Sequence, residues 1–465
     1  MKKSTFLMAA FGCLATGAIA QDLPGFKTSN YNGVLGVFGN PANVAQNNYS
    51  WDVNLLSFGV GVGNNNASYN LKSIKNLTET DSAFDQLVGN ANRPSSALVT
   101  TDIKPISFML GINKRSGIAI TSRARVMLNA YDLDGTLGKQ LADGSDDVTF
   151  PYSINSNQDM RVTANAWAEV GATYGRVIYE KGNHAVKAGV TAKYLAGVAN
   201  AYVNINKLKA TLTQDPSTED VYLRDATGGL ELGTAGVSLD NFEPSELTQF
   251  KSTGFGFDLG FVYEFRPNQK EGSNRRGNQY KLRIGASLTD IGSIKYEKNR
   301  NNSGGYKLDI TGAEALNLEE LGKQPIDGLK DYFDSNPQYF TPLNTSGNNY
   351  SVSLPTMFNL DVDYKIFKGL YVNAAANVNV AKSDASTPFN SRYYNSFTAT
   401  PRIETTALGL FVPISYNELT NVNAGLAVKL GPVFFGSGSA ITAVLSDAKQ
   451  ADFFFGIRFG SFARK

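Results

Sequence analysis

The sequence predicts an all-β protein, a transmembrane antiparallel β-barrel of about 12 to 14 strands, with short amphipathic helices in its external loops. Four observations predict it. Apolar and polar residues alternate strictly over many stretches. Several stretches run about 10 residues or more, the length a tilted strand needs to cross a bilayer, whereas sandwich strands average about 5–6. Their polar positions are repeatedly ionisable and of both signs, which suits a hydrated interior. Finally, short connections alternate with long ones, as expected of tight periplasmic turns and long outer loops.

Composition agrees. The chain has 465 residues, of which 18% are charged, below the roughly 25% of a soluble globular protein. Gly (45), Tyr (22) and Phe (28) are abundant. One His and one Cys exclude most metal sites and nearly all Ser-His or Cys-His chemistry, so neither an enzyme nor a cofactor is expected. Lys and Arg (43) nearly balance Asp and Glu (41), which argues against a nucleic-acid partner.

Residues 1–20 read as a cleavable export signal. Lys2 and Lys3 precede an apolar core at 6–15, and Ala18-Ile19-Ala20 forms the cleavage site before Gln21. Cys13 sits inside that core, after Phe11-Gly12 and without the Leu of a lipoprotein site, so no lipidation is expected. Cleavage after Ala20 removes the Cys and two Lys, leaving 41 basic against 41 acidic residues and no disulfide framework.

Residues 21–50 read as an internal plug. They carry Gly25, Gly33, Gly36 and Gly39, the apolar residues Leu23, Phe26, Val34, Leu35, Val37 and Phe38, and hardly any charge beyond Asp22 and Lys27. Such a segment is too polar to cross lipid and too apolar to stay in water; tucked inside a barrel it satisfies both constraints. Residues 51–465 read as the barrel.

The alternation is clearest at 255–265, where Phe255, Phe257, Leu259, Phe261 and Tyr263 interleave with Gly256, Asp258, Gly260 and Glu264. It recurs at 118–128, 162–174, 186–196, 282–288, 358–366, 372–380, 422–430 and 453–459. The candidate lumen-lining residues are Arg123, Arg125, Asp258, Glu264, Lys281 and Arg283. Arg at the outward position 257 or 261 is expected to disrupt folding more than changes at Gly256 or Asp258. Connections at 113–116, 180–184, 368–369 and 414–419 are short. Those at 63–100, 129–159, 213–250, 292–350 and 382–397 are long. Loops 213–250 and 129–159 carry net charges of −7 and −5. Acidic outer loops solubilise the surface or bridge divalent cations to anionic lipid.

Several residues have plainer readings. Asp290-Ile291-Gly292 reads as a strand-ending turn. Trp51 and Trp167 read as interface anchors. The basic run 266–283 and the pair Asp146-Asp147 read as solvated turns, and His184 as an exposed turn residue with no catalytic neighbour. Thr311 and Glu314 have capping-box spacing before Leu316, Leu318 and Leu321, with a stop at Gly322. Ile326, Leu329, Tyr332 and Phe333 continue an apolar face, and another helix is expected across 71–87.

Asn40-Pro41-Ala42, followed by Trp51-Asp52-Val53-Asn54-Leu55, resembles the N-terminal part of FadL-type barrels, the long-chain fatty-acid transporter superfamily. The stretch Leu288-Thr289-Asp290-Ile291-Gly292-Ser293-Ile294-Lys295-Tyr296 is similar to an uncharacterised outer-membrane family of Bacteroidetes type. So is Leu354-Pro355-Thr356-Met357-Phe358-Asn359-Leu360, running on to Tyr371-Val372-Asn373-Ala374. The resemblance covers most of the mature chain. It implies about 14 strands and an internal plug, with Asn40, Pro41 and Ala42 as candidate plug residues, but no established activity.

The expected function is a channel or transporter for a hydrophobic or amphipathic solute in the outer membrane of a Gram-negative bacterium. The alternative is a scaffold barrel of an export or surface-assembly complex, and a membrane-embedded hydrolase ranks far below both. Partners implied are outer-membrane lipid and either a hydrophobic small molecule or a secretion or assembly protein.

Overall fold

A computed structural model describes residues 23–70, 94–137, 149–156, 158–237, 252–267, 280–344 and 349–462. The export signal, the helix expected across 71–87, Asp146-Asp147 and most of the basic run 266–283 lie outside these residues. The chain forms a closed antiparallel barrel of 14 strands. They are β1 (Tyr49–Asn64), β2 (Ser95–Lys104 and Ser107–Gly111), β3 (Ser116–Leu133), β4 (Met160–Lys181) and β5 (His184–Gln214). Next come β6 (Ser252–Phe265), β7 (Leu282–Glu297), β8 (Asn349–Ser353 and Met357–Phe367), β9 (Leu370–Asn379) and β10 (Ser396–Glu404). The last are β11 (Leu408–Phe411 and Ile414–Asn417), β12 (Asn421–Ala424 and Leu426–Leu430), β13 (Val433–Ser437) and β14 (Gln450–Phe462). Each pairs with its sequence neighbour, and β1 closes on β14 from Tyr49↔Phe462 to Gly63↔Gln450.

Alternation explains why these residues form a wall. In β6 the odd-numbered residues 255, 257, 259 and 261 are exposed on the outer face, and Gly256, Asp258, Gly260 and Val262 are buried. Ile118, Ile120 and Val126 of β3, Phe358 and Leu360 of β8, and Phe397 and Ile403 of β10 extend the same outward apolar belt. The strands break where proline cannot donate to the ladder. Pro105 divides β2, and Asn54 of β1 turns its amide onto the carbonyls of Lys104 and Pro105 at 2.9 and 3.1 Å. Pro413 divides β11 in the same way, and its carbonyl accepts from Gly425 N in the gap of β12. Gly431-Pro432 forms the turn from β12 to β13, with Gly431 at φ 58.

All the short turns lie at one end of the barrel, with one correction. The connection expected as a short turn at 414–419 is strand up to Asn417, and its turn lies at the opposite end, among the long loops. The two ends are called here the turn end and the loop end.

Beyond the loop end stands an annexe. The 31 residues of β5 outrun the wall: His184–Gly197 pair with β6, and Ala199–Gln214 form a ribbon with Val221–Gly236. Gly304–Ile310 and Phe340–Leu343 extend this sheet on one side and Tyr152–Asn155 on the other. Helices Leu318–Gly322 and Leu329–Ser335 cover it around a core that includes Leu212, Leu223, Tyr306, Ile310, Phe333 and Phe340. The cap of the first helix is not Thr311 but Asn317, whose side chain accepts from the amides of Glu319 (2.8 Å) and Glu320 (3.1 Å).

Candidate functional site

Residues 23–48 cross the lumen near the turn end. They comprise a 3-10 turn at Phe26–Thr28, a short helix at Leu35–Gly39 and a second 3-10 turn at Pro41–Val44. One end seats on β11 to β13, where Phe26 stacks on Phe434 at 4.1 Å and meets Phe411 edge-on at 5.9 Å. The other end seats half-way round the wall. Asn40 caps the second turn by accepting from Ala42 N at 3.0 Å, and its amide donates to the carbonyls of Phe261 (3.1 Å) and Ala286 (3.3 Å).

Four glycines on adjacent strands make that landing flat. A Cβ on Gly117, Gly175, Gly189 or Gly260 would come within 2.1–2.6 Å of Val44 O, Val44 Cγ1, Pro41 C or Asn40 Oδ1 respectively. No side chain fits between this stretch of wall and Asn40-Pro41-Ala42. The candidate plug residues therefore touch β5, β6 and β7 directly through backbone and cap contacts.

Polar contacts fasten the rest of the segment. Glu404 of β10 accepts from Ser29 Oγ (2.6 Å) and Asn30 N (3.1 Å). Asp52 of β1 accepts from Val34 N at 2.7 Å and pairs with Arg458, which also donates to the carbonyl of Tyr31. Arg283 donates to Asn43 Oδ1 (2.8 Å), Arg266 to Gln46 Oε1 (2.7 Å) and Ser287 Oγ to Gly39 O (2.7 Å).

Above the segment the lumen carries a girdle of paired ions on β2 to β7. Asp290 accepts two bonds from Arg125 (2.7 and 2.8 Å) and one from Lys193 (2.7 Å). Glu169 pairs with Arg125 at 2.7 Å, Asp258 with Lys193 at 2.8 Å, and Asp102 with Arg123 and with Lys104 at 3.0 Å. Charges of both signs alternate, so buried cations and anions neutralise one another locally.

Of the six candidate lumen residues, Arg123, Arg125 and Asp258 join this girdle. Glu264 lies nearer the turn end, pairing with Lys187 at 2.6 Å and with Arg266. Arg283 pairs with Asp361 there. Lys281 does not line the lumen. It precedes β7, where strand alternation has not begun, and its ammonium caps the carbonyls of Lys365 and Ile366 at 2.7 and 3.1 Å, over the outward ring of Tyr364.

Two other readings change. Asp290-Ile291-Gly292 does not end a strand: it is a bulge inside β7, where the register with β6 shifts between Leu288 and Ile291. Asp290 takes φ 60 and Gly292 φ 149, and the extra residue turns Asp290 inward beside Thr289. Trp167 is buried on the inner face with the Arg125 guanidinium 4.6 Å from its ring centre; parity with Asn165 and Glu169 already carried that signal. Trp51 faces outward, as read. His184 is exposed, and its Nδ1 hydrogen-bonds Tyr263 Oη at 2.7 Å.

A second crossbar, which the sequence reading passed over, spans the loop end. Residues 380–395 leave β9 and return into β10, but between them the chain reaches across to β3, β4 and β5. Asn129 donates to Arg392 O at 3.0 Å, and Thr163, Asn165 and Asn200 all donate to Phe389 O at 3.0–3.2 Å. Arg161 donates to Ser383 Oγ at 3.0 Å. Between the two crossbars lies a cavity of about 220 Å³, bordered by Phe38, Tyr280, Tyr393 and Leu98 and by asparagines of the segment and of β8 and β9.

A family model described as "Family of unknown function (DUF5723)" matches residues 41–438. No curated protein matches the sequence. Among solved structures the chain is similar to a Pseudomonas aeruginosa FadL homologue, at 11% identity and TM-score 0.42, covering 94% of this chain and 96% of that one. It is similar to the Ralstonia pickettii toluene transporter TbuX, at 11% identity and TM-score 0.42, covering 93% and 94%. A third is a deletion mutant of the monoaromatic hydrocarbon channel TodX, at 11% identity and TM-score 0.47, covering 96% and 99%.

Proposed function

We propose that this chain, which belongs to the DUF5723 family, is an outer-membrane channel for a small amphipathic solute, with residues 23–48 as its movable internal hatch. The carrying observation is the cavity, which is bordered on one side by the segment and on the other by the wall, and which mixes aromatic and amide groups. The outward apolar belt fits hydrocarbon, and the buried, paired ions fit an interior away from lipid. In this reading residues 1–20 direct export to the outer membrane of a Gram-negative bacterium and are removed, the turn end faces the periplasm, and the protein performs no catalysis.

The hatch must move for solute to pass, and its attachments are hydrogen bonds and van der Waals contacts that can be remade. A covalent tether tests this. A Cβ at Gly175 falls 2.6 Å from Val44 Cγ1, too close for two unbonded side chains but near the roughly 3 Å between a Cβ and the far sulfur of a disulfide, and residues 21–465 contain no Cys. The oxidised Val44→Cys/Gly175→Cys protein in liposomes should pass neither small polar nor small aromatic solutes, and reduction should restore flux. Equal flux in both redox states would reject the hatch.

A scaffold role is favoured by one observation, the annexe with its own hydrophobic core, which a simple pore does not need. Removing the annexe strands 221–236 and 304–343 should then abolish capture of a surface partner while leaving solute flux intact.

A further inference from the structure

The lining of the cavity restricts the solute further than amphipathic, and this step rests on the channel reading above. The ionic residues that line it from the wall are already satisfied. Arg283 is paired with Asp361, Lys187 with Glu264, Arg123 with Asp102, and Asp290 with Arg125 and Lys193. A charged solute would lose its hydration there without finding a free counter-charge.

Two of the neutral polar groups that line the cavity, on Asn373 and Asn30, are not satisfied. Asn373 of β9 lines the cavity, is 2% exposed, and its Oδ1 has no hydrogen-bond partner. Directly opposite in the ladder, Thr400 of β10 is fully buried, and its hydroxyl is also without a partner. Two residues along, the Thr398 hydroxyl, 4% exposed, is in the same state. From the hatch, the Asn30 amide nitrogen, a donor, is buried and unpartnered beside the same cavity. Buried polar atoms are nearly always hydrogen-bonded, so an unpaired acceptor on the wall and an unpaired donor on the hatch, both lining one cavity, mark a place where a ligand completes the bonding. A hydrocarbon would leave both of them unpaired. Hydroxyl groups, which donate and accept from one atom, answer both kinds. Phe38, Tyr280 and Tyr393 supply faces for the C–H side of the same molecule.

We infer that the space between the two crossbars is a binding site for a neutral, hydroxyl-rich solute of about monosaccharide size, held by Asn373 of the wall and Asn30 of the hatch. The hatch closes it towards the turn end and loop 380–395 towards the loop end, so the solute meets one barrier at a time.

The test compares glucose with two analogues of equal size and opposite charge, glucuronate and glucosamine, and with toluene, each as labelled probe. Binding to the full mature protein in detergent and uptake into proteoliposomes are both measured. Glucose should bind and enter about tenfold better than the other three. Asn373→Leu and Asn30→Leu, which keep shape and remove hydrogen-bonding atoms, should each lower glucose binding by about tenfold. Barrel folding, read by heat-modifiable migration in gels, should be unchanged. If toluene or a charged analogue enters as well as glucose, or if glucose binding is indifferent to both substitutions, the assignment falls. The Val44→Cys/Gly175→Cys tether separates the two levels. When the tether still switches toluene flux but the substitutions do nothing, the channel reading stands and this site does not.

Discussion

Asp290 holds more of the lumen together than any pattern in its own strand indicates. It receives Arg125 and Lys193, which in turn hold Glu169 and Asp258. Removing one partner of a buried ion pair leaves the other desolvated, at a cost of about 3–5 kcal/mol. Asp290→Asn should therefore destabilise the barrel by that order in urea titrations followed by Trp fluorescence, because Trp167 packs on Arg125. On the outer face, Phe257→Arg or Phe261→Arg should cost about 2–4 kcal/mol near the midplane. The sequence alone suggests that inward positions of β6 tolerate change better, and the structure alters that expectation. Asp258 holds Lys193 at 2.8 Å, so Asp258→Ala should cost as much as the outward arginines in the same titration. A silent Asp258→Ala would mean that the girdle is hydrated and loosely coupled.

At the scale of elements, the two ends of the barrel make opposite predictions. Protease added to intact cells should cut within 129–159 or 213–250 and spare the turns at 113–116 and 368–369; the reverse pattern would invert the orientation. The 380–395 crossbar is held to the far wall by Asn129, Thr163, Asn165 and Asn200 through its main-chain carbonyls, and by Asn165 and Arg161 through the hydroxyls of Ser391 and Ser383. Asn165→Ala with Asn200→Ala removes two of the three donors to Phe389 O, and should raise proteolysis within 383–394 on intact cells without loosening the barrel on gels.

For the molecule as a whole, the two crossbars act in series. Deleting residues 25–42 removes the contacts to Glu404 and Asp52 and exposes the glycine landing, yet leaves every wall strand paired. The barrel should stay folded. With the outer crossbar in place the gain in small-solute permeability should be modest, and it should rise sharply only when 383–394 is shortened as well. A large gain from the first deletion alone would mean that loop 380–395 does not seal the loop end.

The sequence by itself determined the alternation, hence the outward apolar belt, the inward position of Arg123, Arg125, Asp258, Glu264 and Arg283, and a wall of 12 to 14 strands, of which the structure has 14. Those properties repeat every two residues and are local, so neighbouring residues are enough to reveal them. Even Trp167 was legible, since it shares the parity of Asn165 and Glu169. Only the tertiary structure decided the rest. A bulge in β7 resets parity at Asp290, and the chain bend before Leu282 sends Lys281 to the rim. Barrel closure and register set Asp290 against Arg125, 165 positions earlier in the chain, and bring loop 380–395 down onto strands half-way round the lumen. Such contacts depend on how far each strand is shifted against the next, a quantity summed around the whole ring, which no short stretch of sequence contains.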